Sequence, residues 1–341
     1  MDTNNSVISF KNNHFVTLLL SVIAIPLSMS MWIINIIYSK IVQDKDFDEP
    51  VVISPIRWLA SCFIPLFICV YGYKKKSLNC SGALFAFLVG FVLTLANLCF
   101  FVDLLVFFVT SSKATKLKSN MKKKIEADFK EGGQRNWIQV LCNGGMATQL
   151  SLLYLLDVGA SERPVDFIKD YRASWLSLGV VGVLACCNGD TWASELGTIF
   201  SKDDPVLITS WKKVPKGTNG GITLVGTVFS TIGGLVIGIS HYLTNFYLSD
   251  ASLWLYAPPQ WPIILFGAFA GFFGSLVDSI LGATLQYSGL DKTGKIVAHS
   301  NQAVKHISGK NILDNHSVNL ISTIVMGLLL PTLSKILWVI F

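Results

Sequence analysis

Apolar residues run in stretches long enough to cross a bilayer, and short polar segments separate them. A membrane helix needs about 20 such residues, each advancing about 1.5 Å. The pattern predicts helices at about 15–38, 56–73, 137–157, 174–196, 220–248, 262–286 and 317–340. The first is too long for a signal-peptide core and lacks a small-residue cleavage site, so it counts as a helix. The stretch 80–112 is too long for one ordinary span, and Asn97 divides it into two short ones. The expectation is an all-α, polytopic integral membrane protein with about nine transmembrane helices. Residues 1–341 form one transmembrane domain, without a clear internal repeat. Glycine pairs such as Gly234/Gly238 and Gly267/Gly271 predict close helix packing.

Composition sharpens this picture. Hydrophobic residues make up 52% of the chain and charged residues 14%, with a mean hydropathy of +0.54. A soluble domain carries about 25% charge, so a single water-soluble globule is excluded. The net charge of +6 is mild and dispersed, which argues against a nucleic-acid partner. Its placement is informative. Segments 1–14, 74–79, 113–136, 197–219 and 287–316 share one side of the membrane and hold 20 of the 27 Lys+Arg. The opposite side holds Lys40, Lys45, Arg57, Arg163, Lys169 and Arg172. Basic loops stay cytosolic, so the N-terminus is expected in the cytosol. The sequons at Asn4, Asn79 and Asn315 then face the cytosol, where glycosylation does not occur. The seven cysteines make no CxxC and no Cys/His cluster, which removes a zinc site.

The unusual polar clusters all fall on the cytosolic side. Lys212, Lys213 and Lys216 precede Gly217, Thr218, Asn219, Gly220 and Gly221, and this glycine-rich turn is expected to feed a helix N-terminus. Exposed amides and the helix dipole favour an anion there, although the Walker spacing is absent. The alternative is a basic loop resting on anionic headgroups. Asp190, Glu195 and Asp278 lie in or at the end of apolar spans, where acids are costly and point to function. Asp278 shares a face with Gly271, Gly274 and Gly282. Carboxylates beside an anion loop suit a hard cation such as Mg²⁺ bridging phosphates. Asp314 and Asn315, with Asn319, could add oxygen ligands. Asp103, mid-span and away from a glycine stripe, reads as structural. Ser111, Ser112, Ser194 and Thr218 have no obvious histidine base, which disfavours a serine hydrolase.

The block Gly189-Asp190-Thr191-Trp192-Ala193-Ser194-Glu195-Leu196-Gly197, followed by Val214-Pro215 and Gly217-Thr218-Asn219-Gly220-Gly221-Ile222-Thr223, resembles the transmembrane protein nineteen family, a membrane family long labelled as of unknown function. Pro55, Arg57 and Trp58, the Gly274-Ser275 and Asp278-Ser279 pairs, Gly282-Ala283-Thr284, and Ile312 to Asn315 extend the resemblance over about residues 50–330. Plant and cyanobacterial members include phytyl-phosphate kinase, and the family is distantly similar to dolichol kinase and phosphatidate cytidylyltransferase. The resemblance implies transfer from CTP or another nucleotide to an isoprenoid or lipid phosphate, and a place in the endoplasmic reticulum or another endomembrane. Combined with the residue pattern, it gives a working assignment. Asp190, Glu195 and Asp278 are catalytic. Asp190, Asp278, Asp314 and Asn315 hold Mg²⁺. Lys212, Lys213, Lys216 and 217–221 hold the nucleotide phosphates, and Lys113, Lys116, Arg135 and Asn143 the lipid phosphate. The distant relatives' Lys-Thr order appears here as Lys216-Gly217-Thr218, which leaves open which lysine meets the phosphates. Two alternatives stand beside a kinase: a lipid-phosphate cytidylyltransferase, and an ion-coupled transporter built on intramembrane acids.

Overall fold

The computed structural model describes residues 30, 33, 34, 37, 53–117, 134–292, 294–297 and 304–340. The expected span at 15–38 and the sequon at Asn4 thus lie wholly or almost wholly outside the described residues. Among the described residues eight long helices follow from Pro55 onward: α1 (Pro55–Lys74), α2 (Cys80–Ala96), α3 (Leu98–Lys116), α4 (Trp137–Asp157), α5 (Tyr171–Trp192), α6 (Leu224–Leu248), then a short α7 (Ala251–Leu255), α8 (Pro262–Leu285) and α9 (Asn315–Leu337). Among the described residues, six spans are long and apolar enough to cross a membrane: α1, α3, Tyr171–Phe200, α6, α8 and α9. Of the other two, α2 is short, and Gln139, Asn143 and Gln149 interrupt the apolar pattern of α4. The protein is a mainly helical, multi-pass integral membrane protein.

Polar residues just ahead of each apolar run decide where the helices start. Ser54 accepts from Arg57 N–H, with proline at the first helical position of α1. Asn79, Asn136, Thr223 and Asp314 cap α2, α4, α6 and α9 in the same way, and Asn136 forms a reciprocal capping box with Gln139. Asn97 does two jobs. Its extended backbone ends α2, and its side chain accepts from Cys99 N–H to start α3, so the break expected within 80–112 is present.

The core forms around α5. Its apolar face is not a stripe but the whole cylinder: 16 of its residues are buried, and α3, α4, α6, α8 and α9 all pack on it. A helix apolar all round belongs in the centre. Small residues permit the close approach. A Cβ on Gly189 would fall 2.6 Å from Gly271 Cα, and one on Gly182 would fall 2.7 Å from the Met326 carbonyl. Helices α6 and α8 cross at the expected glycines, where Gly267 lies against Gly238 and Gly271 against Gly234. Large side chains such as Phe67, Leu84, Leu156 and Phe246 point outward, as a lipid-facing surface requires.

Loops contact one another in two separate sets, one at each end of the bundle. At one end Arg57 grips Glu162 through two hydrogen bonds of 2.7 and 3.2 Å and donates to the Leu95 carbonyl. Gln260 there exchanges bonds with the Val165 backbone. At the other end Lys116 donates to Lys75 O and Ser77 Oγ, both at 2.8 Å, and Arg135 exchanges backbone bonds with Ser77 and Asn79. Two small sheets sit at this second end: β1 (Val206–Leu207) with β2 (Gly221–Ile222), and β3 (Ser288–Leu290) between β4 (Ile296–Val297) and β5 (Lys305–Ser308). The pattern of contacts is the same sidedness that the charge distribution indicated.

Candidate functional site

The site is built where α5, α8 and α9 end on the basic side. Asn188 fixes α5 in register: its side-chain oxygen accepts from Thr110 and Ser111, and its nitrogen donates 2.8 Å to the Gly233 carbonyl. Asp190 follows two residues later. Ser275 of α8 donates to Asp190 Oδ1 at 3.3 Å, and Ser275 lies one turn before Asp278. The two acids therefore face each other across the α5–α8 contact, close enough for each to feel the other's charge. The side-chain amide nitrogen of Asn319 on α9 donates to Asp278 Oδ2 at 3.2 Å and to the Asn315 carbonyl at 3.0 Å, while its oxygen faces the Asn143 amide. Ser322 is a further hydrogen-bond partner of Asp278. Three helices thus converge on two carboxylates, and the other groups at hand are hydroxyls and amides.

Past Asp190 the chain widens into a π-helical turn, Ala193–Gly197, a distortion that recurs at functional positions. Gly197 allows it, lying so close to Gly226 that a Cβ would be 2.6 Å from the Gly226 Cα. Glu195 sits in this turn, half-buried. Among the described residues no third His, Cys, Asp or Glu joins Asp190 and Asp278. Asp314 is exposed and caps α9, accepting from Ser317 N–H (2.8 Å) and Oγ (2.6 Å), and these bonds hold its carboxyl below the usual range. Asn315 is exposed next to Gln286. Hard oxygens from Asp190 and Asp278 suit Mg²⁺, a cation that commonly takes one or two carboxylates plus phosphate oxygens.

The glycine-rich loop reaches the same place. It does not lead straight into a helix: β2 intervenes, and α6 starts only at Leu224. Gly217 and Gly220 take φ of +89° and +77°. At Gly220 a side chain would also collide with α8, since its Cβ would be 2.6 Å from both Ala283 N and Ser279 O. Asn219 secures the dock, donating from its backbone to Ser288 Oγ and from its side chain to the Tyr287 carbonyl. The loop is thereby held one turn from Asp278. The amides of Thr218, Asn219 and Gly221 are engaged within the protein, by Pro215 O, Ser288 Oγ and Thr218 O. Positive charge comes instead from lysines: Lys212 and Lys213 are exposed on the β1–β2 ribbon, and Lys216 reaches the Ser201 carbonyl at 2.7 Å.

Of the basic groups expected near the lipid phosphate, Lys113 is exposed and Lys116 ties α3 to Lys75 and Ser77. Arg135 is the more telling one. Its guanidinium donates to Ser112 Oγ at 2.8 Å and lies over the Phe108 ring, and no described carboxylate pairs with it. Burial lowers its pKa to about 10, so it is cationic at neutral pH. Asn143, two turns further along α4, touches Asn319 through its side chain and accepts from Cys187 Sγ at its carbonyl. Ser275 and Asn319 were visible as polar positions in α8 and α9, and Ser275 stands three residues from Asp278 on the same face. Asn188 opened the polar block that holds Asp190, whereas Ser322 carried no such local signal.

A second buried polar group stands apart. Asp103 Oδ2 lies 2.7 Å from His241 Nδ1, and His241 Nε2 lies 3.2 Å from Ser177 Oγ; Asp103 and His241 are fully buried. Ser177 is 13 residues from Asp190 on α5, about 20 Å along the helix. The trio joins α3, α5 and α6.

Residues 63–327 match the family model described as "Integral membrane protein DUF92". The chain is 40% identical over 274 residues to Protein PGR of Arabidopsis thaliana, covering 80% of this chain and 94% of that protein. An uncharacterized membrane protein of Methanocaldococcus jannaschii is 28% identical over 275 residues, 80% of this chain and 93% of its own. Protein VTE6, chloroplastic, of Arabidopsis thaliana is 29% identical over 220 residues, 64% of this chain and 58% of that one. No solved structure matches the chain.

Proposed function

This chain belongs to the DUF92 family of integral membrane proteins, and from that premise we propose that it is a membrane kinase of isoprenoid or related lipid monophosphates, drawing on a cytosolic nucleoside triphosphate. The proposal includes about nine spans, a cytosolic N-terminus and an endomembrane location. The observation that carries it is the meeting of Asp190 and Asp278 at the basic end of the bundle, with a docked lysine-bearing loop and Arg135, with which no described carboxylate pairs, at the same end. Similarity to VTE6, and the motif resemblance to phytyl-phosphate kinase, support the reading. CTP is the proposed donor on the same resemblance.

Asp190 and Asp278 would hold Mg²⁺, which neutralises triphosphate charge when bound. Ser275 and Asn319 keep the two carboxylates aimed at one point. Lys212, Lys213 and Lys216 attract and orient the triphosphate. Arg135 and Asn143 hold the lipid phosphate. One of its oxygens attacks the terminal phosphorus of the nucleotide, the bond to the nucleoside diphosphate breaks, and the lipid leaves as a diphosphate. No protein nucleophile is required, because positioning and charge compensation are the main catalytic terms in such transfers.

The test is purified protein with γ-labelled CTP, Mg²⁺ and a panel of prenyl monophosphates. Labelled prenyl diphosphate is expected, with nucleoside diphosphate as co-product. Chelation of Mg²⁺ abolishes it, and Asp190→Asn lowers it at least about 100-fold. Pyrophosphate release would instead indicate cytidylyl transfer. No labelled lipid, with wild type and Asp190→Asn alike, would remove the proposal.

A further inference from the structure

A slot opens behind Arg135, between α1, α2, α3 and α4. Pro65, Ile68, Val89, Leu104 and Phe108 line it, and its polar groups are Arg135, Gln139 and Asn143. About 70 Å³ of it is wide enough for the centre of a water molecule. The space is therefore narrow. Within it Gly90 and Pro65 pinch α1 against α2: a Cβ on Gly90 would lie 2.9 Å from Pro65 Cβ. The cationic end is fixed by backbone, since Arg135 N–H donates to Ser77 O and Arg135 O accepts from Asn79 N–H, both at 3.0–3.1 Å. The same end connects through Asn143 and Asn319 to Asp278.

We infer that this slot seats the hydrocarbon chain of a single-chain prenyl monophosphate, with Arg135 on its phosphate, and that the slot's depth selects chain length. The inference rests on the kinase reading for the fate of the phosphate but not for the chain. Charge and shape both favour this occupant. A guanidinium with no described carboxylate partner asks for an anion, and a narrow apolar slot disfavours two-chain lipids such as phosphatidate. From Cys80, at the basic end, to Gly90 is ten residues of α2, about 15 Å. A zigzag carbon chain advances roughly 1.25 Å per bond, from a bond of about 1.5 Å. The depth thus takes about twelve main-chain carbons, or three isoprene units.

Binding of tritiated farnesyl monophosphate to the full-length purified protein, without nucleotide, tests this directly. Competition by geranyl, farnesyl and longer prenyl monophosphates is expected to strengthen up to three units and not beyond, with phosphatidate and farnesol competing poorly. Ala86→Trp, which fills the slot wall, is expected to weaken farnesyl monophosphate about tenfold or more while sparing geranyl monophosphate. Arg135→Gln is expected to remove the preference for the phosphate over the alcohol. Equal competition by every length, or by phosphatidate, overturns the inference, and the wild-type length series alone decides it should Ala86→Trp fail to fold. Length-dependent binding without phosphoryl transfer would leave the slot standing and remove the kinase; transfer indifferent to chain length would do the reverse.

Discussion

Asp190 and Asp278 are held by neighbours that do not neutralise them: a serine hydroxyl on one, an asparagine amide and a serine hydroxyl on the other. Two acids packed together in an apolar setting destabilise the fold through mutual repulsion and lost hydration. A residue kept at that cost points to function. Asp278→Asn is therefore expected to abolish transfer while leaving the thermal midpoint unchanged or higher. Asp103 presents the opposite case. It has a short bond to His241, and His241 in turn meets Ser177. Removing one member strands the other, so Asp103→Ala is expected to cost about 3 kcal/mol of stability, read as a lower melting temperature in detergent. Substrate binding by the protein that remains folded should be unchanged.

Helices start and stop on signals written in the chain, and Asp314 shows how one can be tested. Its carboxyl accepts from Ser317 N–H and Oγ ahead of α9, and those bonds favour the ionised form. The sign follows: stability from this cap is complete above the ordinary carboxylate range and is lost as pH falls through the lowered value. Asp314→Ala is expected to remove about 1 kcal/mol at neutral pH and to flatten the acid limb of a melting-temperature profile, whereas Asp314→Asn should keep the cap without that limb. Such caps made much of the fold legible. Asn97 inside a long apolar run announced the α2–α3 break, and the glycines of α6 and α8 announced their crossing. The glycine-rich loop announced itself too, but not its pairing with β1, because strands of two residues leave no periodicity. The union of Asp103 with His241 was equally hidden: 138 positions separate them, and only packing brings them together. Ser322 lay hidden for the same reason.

At the scale of the whole molecule, the loops fall into two sets at opposite ends, and that sidedness is accessible to chemistry. A cysteine placed at Lys113 or Lys212, in a background without native cysteines, is expected to react with an impermeant maleimide from the same side of sealed vesicles, and one at Arg172 from the other. Mixed labelling of Lys113 and Lys212 would break the arrangement on which the site depends. The corner at Asn97 has a consequence of its own. With 17 residues, α2 reaches about 26 Å, whereas a typical hydrocarbon layer is about 30 Å thick and that of the endoplasmic reticulum about 27 Å. Tilting shortens the reach of a helix and cannot lengthen it, so the lipid must come to the protein. With α2 as a span, the leaflet at its Asn97 end is expected to draw inward around Arg57 and Glu162, with least distortion in a thin bilayer of short acyl chains.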